Sequence, residues 1–187
     1  GELLSEYEQD RRDSRNCELR GAYLAGIDLA GEDLTGADFQ DAILEGADLM
    51  NAVLEHANFE RADLRNASFA KSNLENASLF GADLRGAYLT ETNLVGTILA
   101  GVDARDADFT NATFDNTDLR RADLRGAHLE TPYVGSVDFR DAKIEKWPQI
   151  FGHMLTPQHE RNPGPKAHEK NGVKLMKEAR KCWDKYC

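Results

Sequence analysis

From Leu19 to Ile144 a large apolar residue stands at nearly every fifth position, with no insertion or deletion. Twenty-three of these twenty-six positions are Leu or Phe, and only Ala104, Val134 and Ile144 are neither. A period of five fits neither the 3.6 of a helix nor the unbroken alternation of a long strand. It does fit a short extended piece followed by a corner, repeated, because residues two apart then share a face. With the Leu or Phe written as position i, the residues at i−2 and i point inward, and i−1, i+1 and i+2 face water. The composition agrees: sixteen of the twenty-six i−2 positions are Ala and four more are Ser or Thr. Asp or Asn is common at i−1, and Gly, Asn or Asp at i+2, where a corner needs permissive backbone. A fixed repeat this short predicts a stacked solenoid rather than a globular core.

The pentad Ala47-Asp48-Leu49-Met50-Asn51 typifies the run from Cys17 to Lys146. In its order of small residue, Asp or Asn, Leu or Phe and two variable residues, the chain resembles the pentapeptide-repeat proteins. The resemblance implies an all-β solenoid, a right-handed quadrilateral parallel β-helix in which four pentads make one turn. The sequence carries its own test of four sides. Arg65, Arg85, Arg105 and Arg125 recur every twenty residues, as do Asp63, Asp83, Asp103 and Asp123 two residues before them. Coils of fifteen residues would instead align Arg65 with Phe80 and Val95. Twenty-six pentads then give a rod of about six and a half coils, roughly 30 Å long.

Three segments follow. Residues 1–16, with Leu3, Leu4 and Tyr7 at helical spacing, predict an N-terminal capping helix. Residues 17–146 form the β-helix. Residues 147–187 predict a C-terminal helical tail or cap: Trp147-Pro148 opens a stretch with Ile150, Phe151, Met154 and Leu155. A Pro- and Gly-rich loop follows, and then a helix with Val173, Met176, Ala179 and Trp183 on one face. Such caps shield terminal strands that would otherwise offer unpaired backbone groups. No stretch of eighteen apolar residues occurs, so no transmembrane segment is expected. The sequence opens on Gly1 rather than Met, which leaves a processed or engineered terminus open.

Charge changes the picture of partners. Residues 1–16 carry a net −2, residues 17–144 a net −12 and residues 145–187 a net +4. Residues 17–64 hold eleven acids against Arg20 and Arg61 alone. Direct nucleic-acid binding through the coil walls is not expected, because acidic walls repel phosphate. The Asp63, Asp83, Asp103 and Asp123 column and the Arg65, Arg85, Arg105 and Arg125 column are read as a salt-bridge wall, satisfied across rungs about 4.8 Å apart. Two sets of outward apolar residues form the candidate contact surface. Tyr23 and Ile43 lie one rung apart on one wall, and Phe80, Val95 and Ile98 gather around a corner of the middle coils.

Catalytic and metal constellations are not expected. The five histidines and three cysteines show no C-x2-C or H-x3-H spacing, so neither metal nor cofactor is assigned. Cys17 takes an inward i−2 position as a small apolar residue. Glu32, also at i−2, is the one polar intruder, placed where its carboxylate could reach water. Cys182 and Cys187, five residues apart, would diverge by about 140° on an intact helix, so a bridge needs the last turn unwound. Some members of the resembling family tether the C-terminal segment with a disulfide. A Cys182–Cys187 bridge would imply an oxidising compartment, periplasm or thylakoid lumen, and free thiols the cytoplasm. The resemblance also suggests a cyanobacterial or plastid origin. A square coil filled by its own side chains leaves no enzyme pocket. The function expected is a rigid, non-enzymatic protein-binding or scaffold module, monomeric or weakly dimeric, with an unidentified protein partner. The alternative, again from the family, is a DNA mimic that binds a type II topoisomerase, DNA gyrase. The Arg column, the basic C-terminal segment and the absence of a projecting loop count against it.

Overall fold

The computed structural model describes residues 14–130 and 135–145. The predicted capping helices and the Cys182–Cys187 pair lie outside the described residues, apart from Ser14, Arg15 and Asn16. Within them the chain winds into a four-walled parallel β-helix. Every backbone bridge joins residues twenty apart, from Glu18↔Asp38 to Asp123↔Lys143, which is the four-pentad coil with its register unbroken. Wall 1 stacks Glu18, Asp38, Asn58, Ser78, Ile98, Asp118 and Asp138 in its i−1 column. Wall 2 stacks Tyr23, Ile43, Asp63, Asp83, Asp103, Asp123 and Lys143. Wall 3 runs from Asp28 to His128 and wall 4 from Asp33 to Thr113. Two longer strands, β1 (Thr117–Asp118) and β2 (Val137–Asp138), pair in parallel on wall 1. Elsewhere a single residue bridges on each side, because a corner interrupts the strand every five residues.

The pentad closes its own hydrogen-bond account, and that explains its polar positions. The N–H of i−2 closes the corner by donating to the preceding i carbonyl, as Ala22 does to Leu19 (3.1 Å). The N–H of i−1 reaches the coil below, as Asp38 does to Cys17 (2.8 Å). Those of i and i+2 reach the coil above, as Leu19 does to Asp38 (2.7 Å) and Gly21 to Gln40 (2.8 Å). The N–H of i+1 is left over, and the side chain at i−1 takes it. Asp48 Oδ1 accepts from Met50 N–H (2.9 Å), and Asn58 Oδ1 accepts from Glu60 N–H (3.0 Å). This is why Asp and Asn dominate i−1.

The corners turn on a left-handed residue. Every i+2 residue from Asn16 to Gly126, and Asp141, has φ between 51° and 73°. With the i−2 N–H closing on the i carbonyl, this is the arrangement a type II turn requires. Gly, Asn and Asp fill most of these positions at little cost, but Arg61, Lys71, Glu91 and Arg121 also adopt it.

Inside, the i and i−2 side chains fill the rod. Leu44, Leu64, Leu84, Phe39, Phe59, Phe69 and Phe109 are fully buried. Phe39 and Phe59 stack one rung apart, with ring centroids 4.7 Å apart and 4° between planes. Val102 and Ala104 exchange the usual small and large places, yet both are buried. The buried threonines at i−2 satisfy their hydroxyls inside: Thr92, Thr97 and Thr117 each donate to the carbonyl twenty-three residues earlier at 2.8 Å. Ser72, in the same place, is buried with its Oγ unpaired. The first coil is more open than its successors. Cys17 is half-buried against the core and Glu32 is exposed, because no coil in the described residues lies beneath them.

Two outcomes test this account. Leu84→Asp sets an unpaired carboxylate in a side-chain environment with no access to water, and is expected to abolish the cooperative thermal transition in circular dichroism. Lys71→Gly relieves a left-handed corner, and is expected to raise stability by about 0.5–1 kcal/mol in urea melts, whereas Gly at most ordered positions costs a similar amount.

Candidate functional site

The rod offers its walls, and their chemistry differs. Wall 2 carries the paired columns that the sequence placed there. Each Arg at i+1 grips the Asp two residues before it in the same strand. Arg65 Nη2 and Nε lie 2.7 Å from Asp63 Oδ2 and Oδ1, and the same fork joins Arg85 to Asp83, Arg105 to Asp103 and Arg125 to Asp123. Across rungs the approaches are longer: Arg65 Nε is 4.0 Å from Asp83 and Arg85 Nε 3.9 Å from Asp103. The expectation of pairing chiefly between rungs is therefore corrected. The Asp is already fixed beside its own strand, accepting the backbone N–H of the same Arg (3.3 Å for Arg65), so the guanidinium finds both oxygens there. Arg65 also reaches down to Glu45 at 3.0 Å.

A second set of forks stands on wall 1, where Arg120 grips Asp118 and Arg140 grips Asp138, each at 2.6 Å. The same Asp-x-Arg spacing marks these forks in the sequence, at Asp118–Arg120 and Asp138–Arg140, beside the four of wall 2.

These contacts set the acidity of the carboxyls. The guanidinium hydrogen bonds hold Asp63, Asp103, Asp118 and Asp138 below the ordinary carboxylate range against the opposing effect of burial. Asp123 is lowered furthest, to about 2, by Arg125 and additionally by Lys143, whose Nζ lies 3.6 Å away. The surface carboxylates of the lower coils, such as Asp28 and Asp48, instead spend one oxygen on a backbone N–H.

The candidate contact residues lie outward. Tyr23 is 77% exposed and Ile43, directly above it on wall 2, 38%. Phe80 (50%) and Ile98 (42%) share wall 1, with Ile98 bridging Ser78 and Phe80 two residues along from Ser78. Val95 is half-buried and belongs to wall 4, one corner before Ile98. Met50 and Tyr88 on wall 3 and Val53 on wall 4 are exposed as well, and an apolar residue at i−1 or i+1 is the sequence signal that marks them. Tyr23, Ile43, Val53, Tyr88 and Ile98 all occupy i−1, where an apolar side chain offers the i+1 N–H no acceptor. Among the described residues no group of His, Cys, Asp and Glu is placed to hold a metal ion, and no helix is long and apolar enough to cross a membrane.

The lowered carboxyls fix a pH dependence. Each ionised Asp stabilises the folded chain above its unfolded value near 4, and that stability is lost as pH falls toward the folded value. Acid titration is therefore expected to leave stability flat above pH about 5 and to erode it between about 4 and 2. In Arg125→Met the Asp123 carboxyl is expected to move from about 2 toward the ordinary 3.8, read by NMR of its carboxyl carbon.

Comparison with known proteins agrees with the repeat geometry. A family model described as pentapeptide repeats matches in eight copies, with matched segments that together span residues 17–126, more than half the chain. A search of curated proteins finds no match. Among solved structures, HetL from the cyanobacterium Nostoc sp. strain PCC 7120, a pentapeptide repeat protein involved in heterocyst differentiation regulation, is 23% identical over 76% of this chain and 93% of its own, with a TM-score of 0.29. A pentapeptide repeat protein from the Arabidopsis thaliana thylakoid lumen is 25% identical over 71% of this chain and 75% of its own, at a TM-score of 0.39. A trypsin-treated form of QnrB1, a plasmid-mediated fluoroquinolone resistance protein, is 22% identical over 75% and 83%, at 0.33. On the family match and the unbroken twenty-residue register, this chain belongs to the pentapeptide repeat family.

Proposed function

We propose that this protein is a rigid, non-enzymatic protein-binding or scaffold module. The observation that carries the reading is the set of apolar residues at i−1. There Asp or Asn would accept the i+1 N–H, so Tyr23, Ile43, Val53, Tyr88 and Ile98 each give up a hydrogen bond while exposing apolar surface to water. A position that costs folding energy twice is best explained by use in contact. Tyr23 and Ile43, adjacent on the acidic lower coils, form the patch for a foreign partner.

Imitation of duplex DNA toward a type II topoisomerase fits less well. Such a mimic needs sustained acidic surface, whereas the Asp–Arg forks neutralise wall 2 over four successive coils. The chain is expected to leave gyrase supercoiling unaffected.

The binding reading is tested by Tyr23→Asn with Ile43→Asn. Each Asn supplies the missing acceptor without adding charge, so the variant is expected to be as stable as the parent or more so, by up to about 1 kcal/mol per site. Pull-down from the native source is expected to lose a partner that the parent retains. Equal capture by parent and variant would remove this patch from the reading.

A further inference from the structure

We propose that wall 1 binds a second copy of this chain, the two rods lying side by side and parallel about a twofold axis along their length. The inference rests on the binding-module reading and names the partner of its middle patch. Such an axis keeps each rung at its height and reverses the strand direction, so the i−1 column of one copy faces the i+1 column of the other. The columns are fixed by the bridges from Glu18 to Asp138 and by the backbone bonds that stack Gln40, Glu60, Phe80, Ala100, Arg120 and Arg140.

Read up the wall, every rung is then matched. In the middle, Ser78 meets the partner's Phe80, and the exposed Ile98 meets the partner's Ala100, which its own neighbours leave only 7% exposed, so in each pair a large side chain lies against a small one. Below, Asn58 meets Glu60, Asp38 meets Gln40 and Glu18 meets Arg20. Above, Asp118 meets Arg120 and Asp138 meets Arg140, so each guanidinium keeps its own carboxylate and gains the partner's. The charged corner residues beside the i+1 column, Asp41, Arg61, Arg121 and Asp141, fall toward the partner's other corner at Gly36, His56, Asn116 and Ser136, where none meets a like charge. An apolar centre with a polar, paired rim is the usual anatomy of an interface.

The same operation fails on the other walls. Wall 2 pairs Asp with Arg on four rungs but brings its exposed Ile43 against Glu45, the carboxylate that Arg65 holds, while wall 3 sets Asp48 against Met50 and wall 4 sets Val53 against Glu55, so none of the three offers an apolar rung matched to a small or apolar partner beside a fully paired rim. Antiparallel rods brought together at the Ser78 and Ile98 rungs would set Asp38 against Asp138, and rods overlapping over the whole wall would set Glu18 against Asp138 and Asp38 against Asp118. One wall, about 30 Å by 10–15 Å, buries less than the roughly 800 Å² per partner of a standard interface, so the dimer is a weak one.

Sedimentation velocity of the whole chain, from micromolar to about millimolar, tests this. The parent is expected to show a concentration-dependent dimer. Ile98→Asp supplies the i+1 acceptor that Ile98 lacks, so it is expected to keep its melting transition while association weakens at least about tenfold. Phe80→Ser is expected to weaken association likewise, and Ile43→Asn, on wall 2, to leave it unchanged. A short bifunctional maleimide is expected to link Asn58→Cys chains to Glu60→Cys chains when the two are mixed, identified by peptide mapping. A parent that stays monomeric throughout, a dimer untouched by both wall 1 variants, or a link from Asn58→Cys to Asp118→Cys in place of the expected one would each overturn the proposal. Loss of the dimer leaves the Tyr23–Ile43 pull-down unaffected, so the two readings fail separately.

Discussion

A left-handed residue at every fifth position is the constraint on which the rest of this rod depends. It lets the chain turn a corner within the pentad, closed by the bond from the next i−2 N–H to the i carbonyl. With a corner every five residues, only a three-residue extended piece remains on each wall. That piece has room for one inward large side chain, and the small residue at i−2 fits beside the corner. Four such corners return the chain above its start, and stacking then supplies both the remaining backbone bonds and the burial of Leu and Phe. No pentad could bury its apolar side chain alone, so stability belongs to the stack rather than to any coil.

The second consequence is a competition at i−1. Since the N–H of i+1 finds no partner in the neighbouring coils, the fold asks for an acceptor two residues before it, and Asp or Asn provides one. The acidity of the walls is therefore first a requirement of the backbone and only secondarily a statement about partners. It follows that departures from Asp and Asn carry more information than the acids themselves. Tyr23, Ile43, Val53, Tyr88 and Ile98 stand out against that background as positions where folding and surface use pull in opposite directions.

Electrostatics obeys the same local geometry. Arg at i+1 and Asp at i−1 share a face of one strand, and the Asp is held in place by the backbone, so the bidentate pair forms within the strand and the neighbouring rung comes second. These pairs are exposed and individually worth little in water. Their effect lies in neutralising a wall and in moving the titration of the carboxyls they hold to lower pH, most of all at Asp123.

The sequence alone determined the architecture, because a five-residue period with Arg and Asp returning every twenty residues admits few chain paths. It also determined which residues are inward, since small and large apolar residues at i−2 and i leave no other face for them. What it could not supply was contact geometry on the outside. That Arg65 would fork to Asp63 rather than to the next rung depends on where the backbone N–H holds the carboxylate. That Val95 is half-buried on wall 4 while Phe80 and Ile98 share wall 1 depends on which side of a corner each residue falls. Glu32, inward by pattern, is exposed because the described coils give it nothing underneath. Position along the repeat is a one-dimensional property that the pattern encodes; pairing, exposure and the matching of one wall to another arise only when coils twenty residues apart are brought to within a strand spacing of each other.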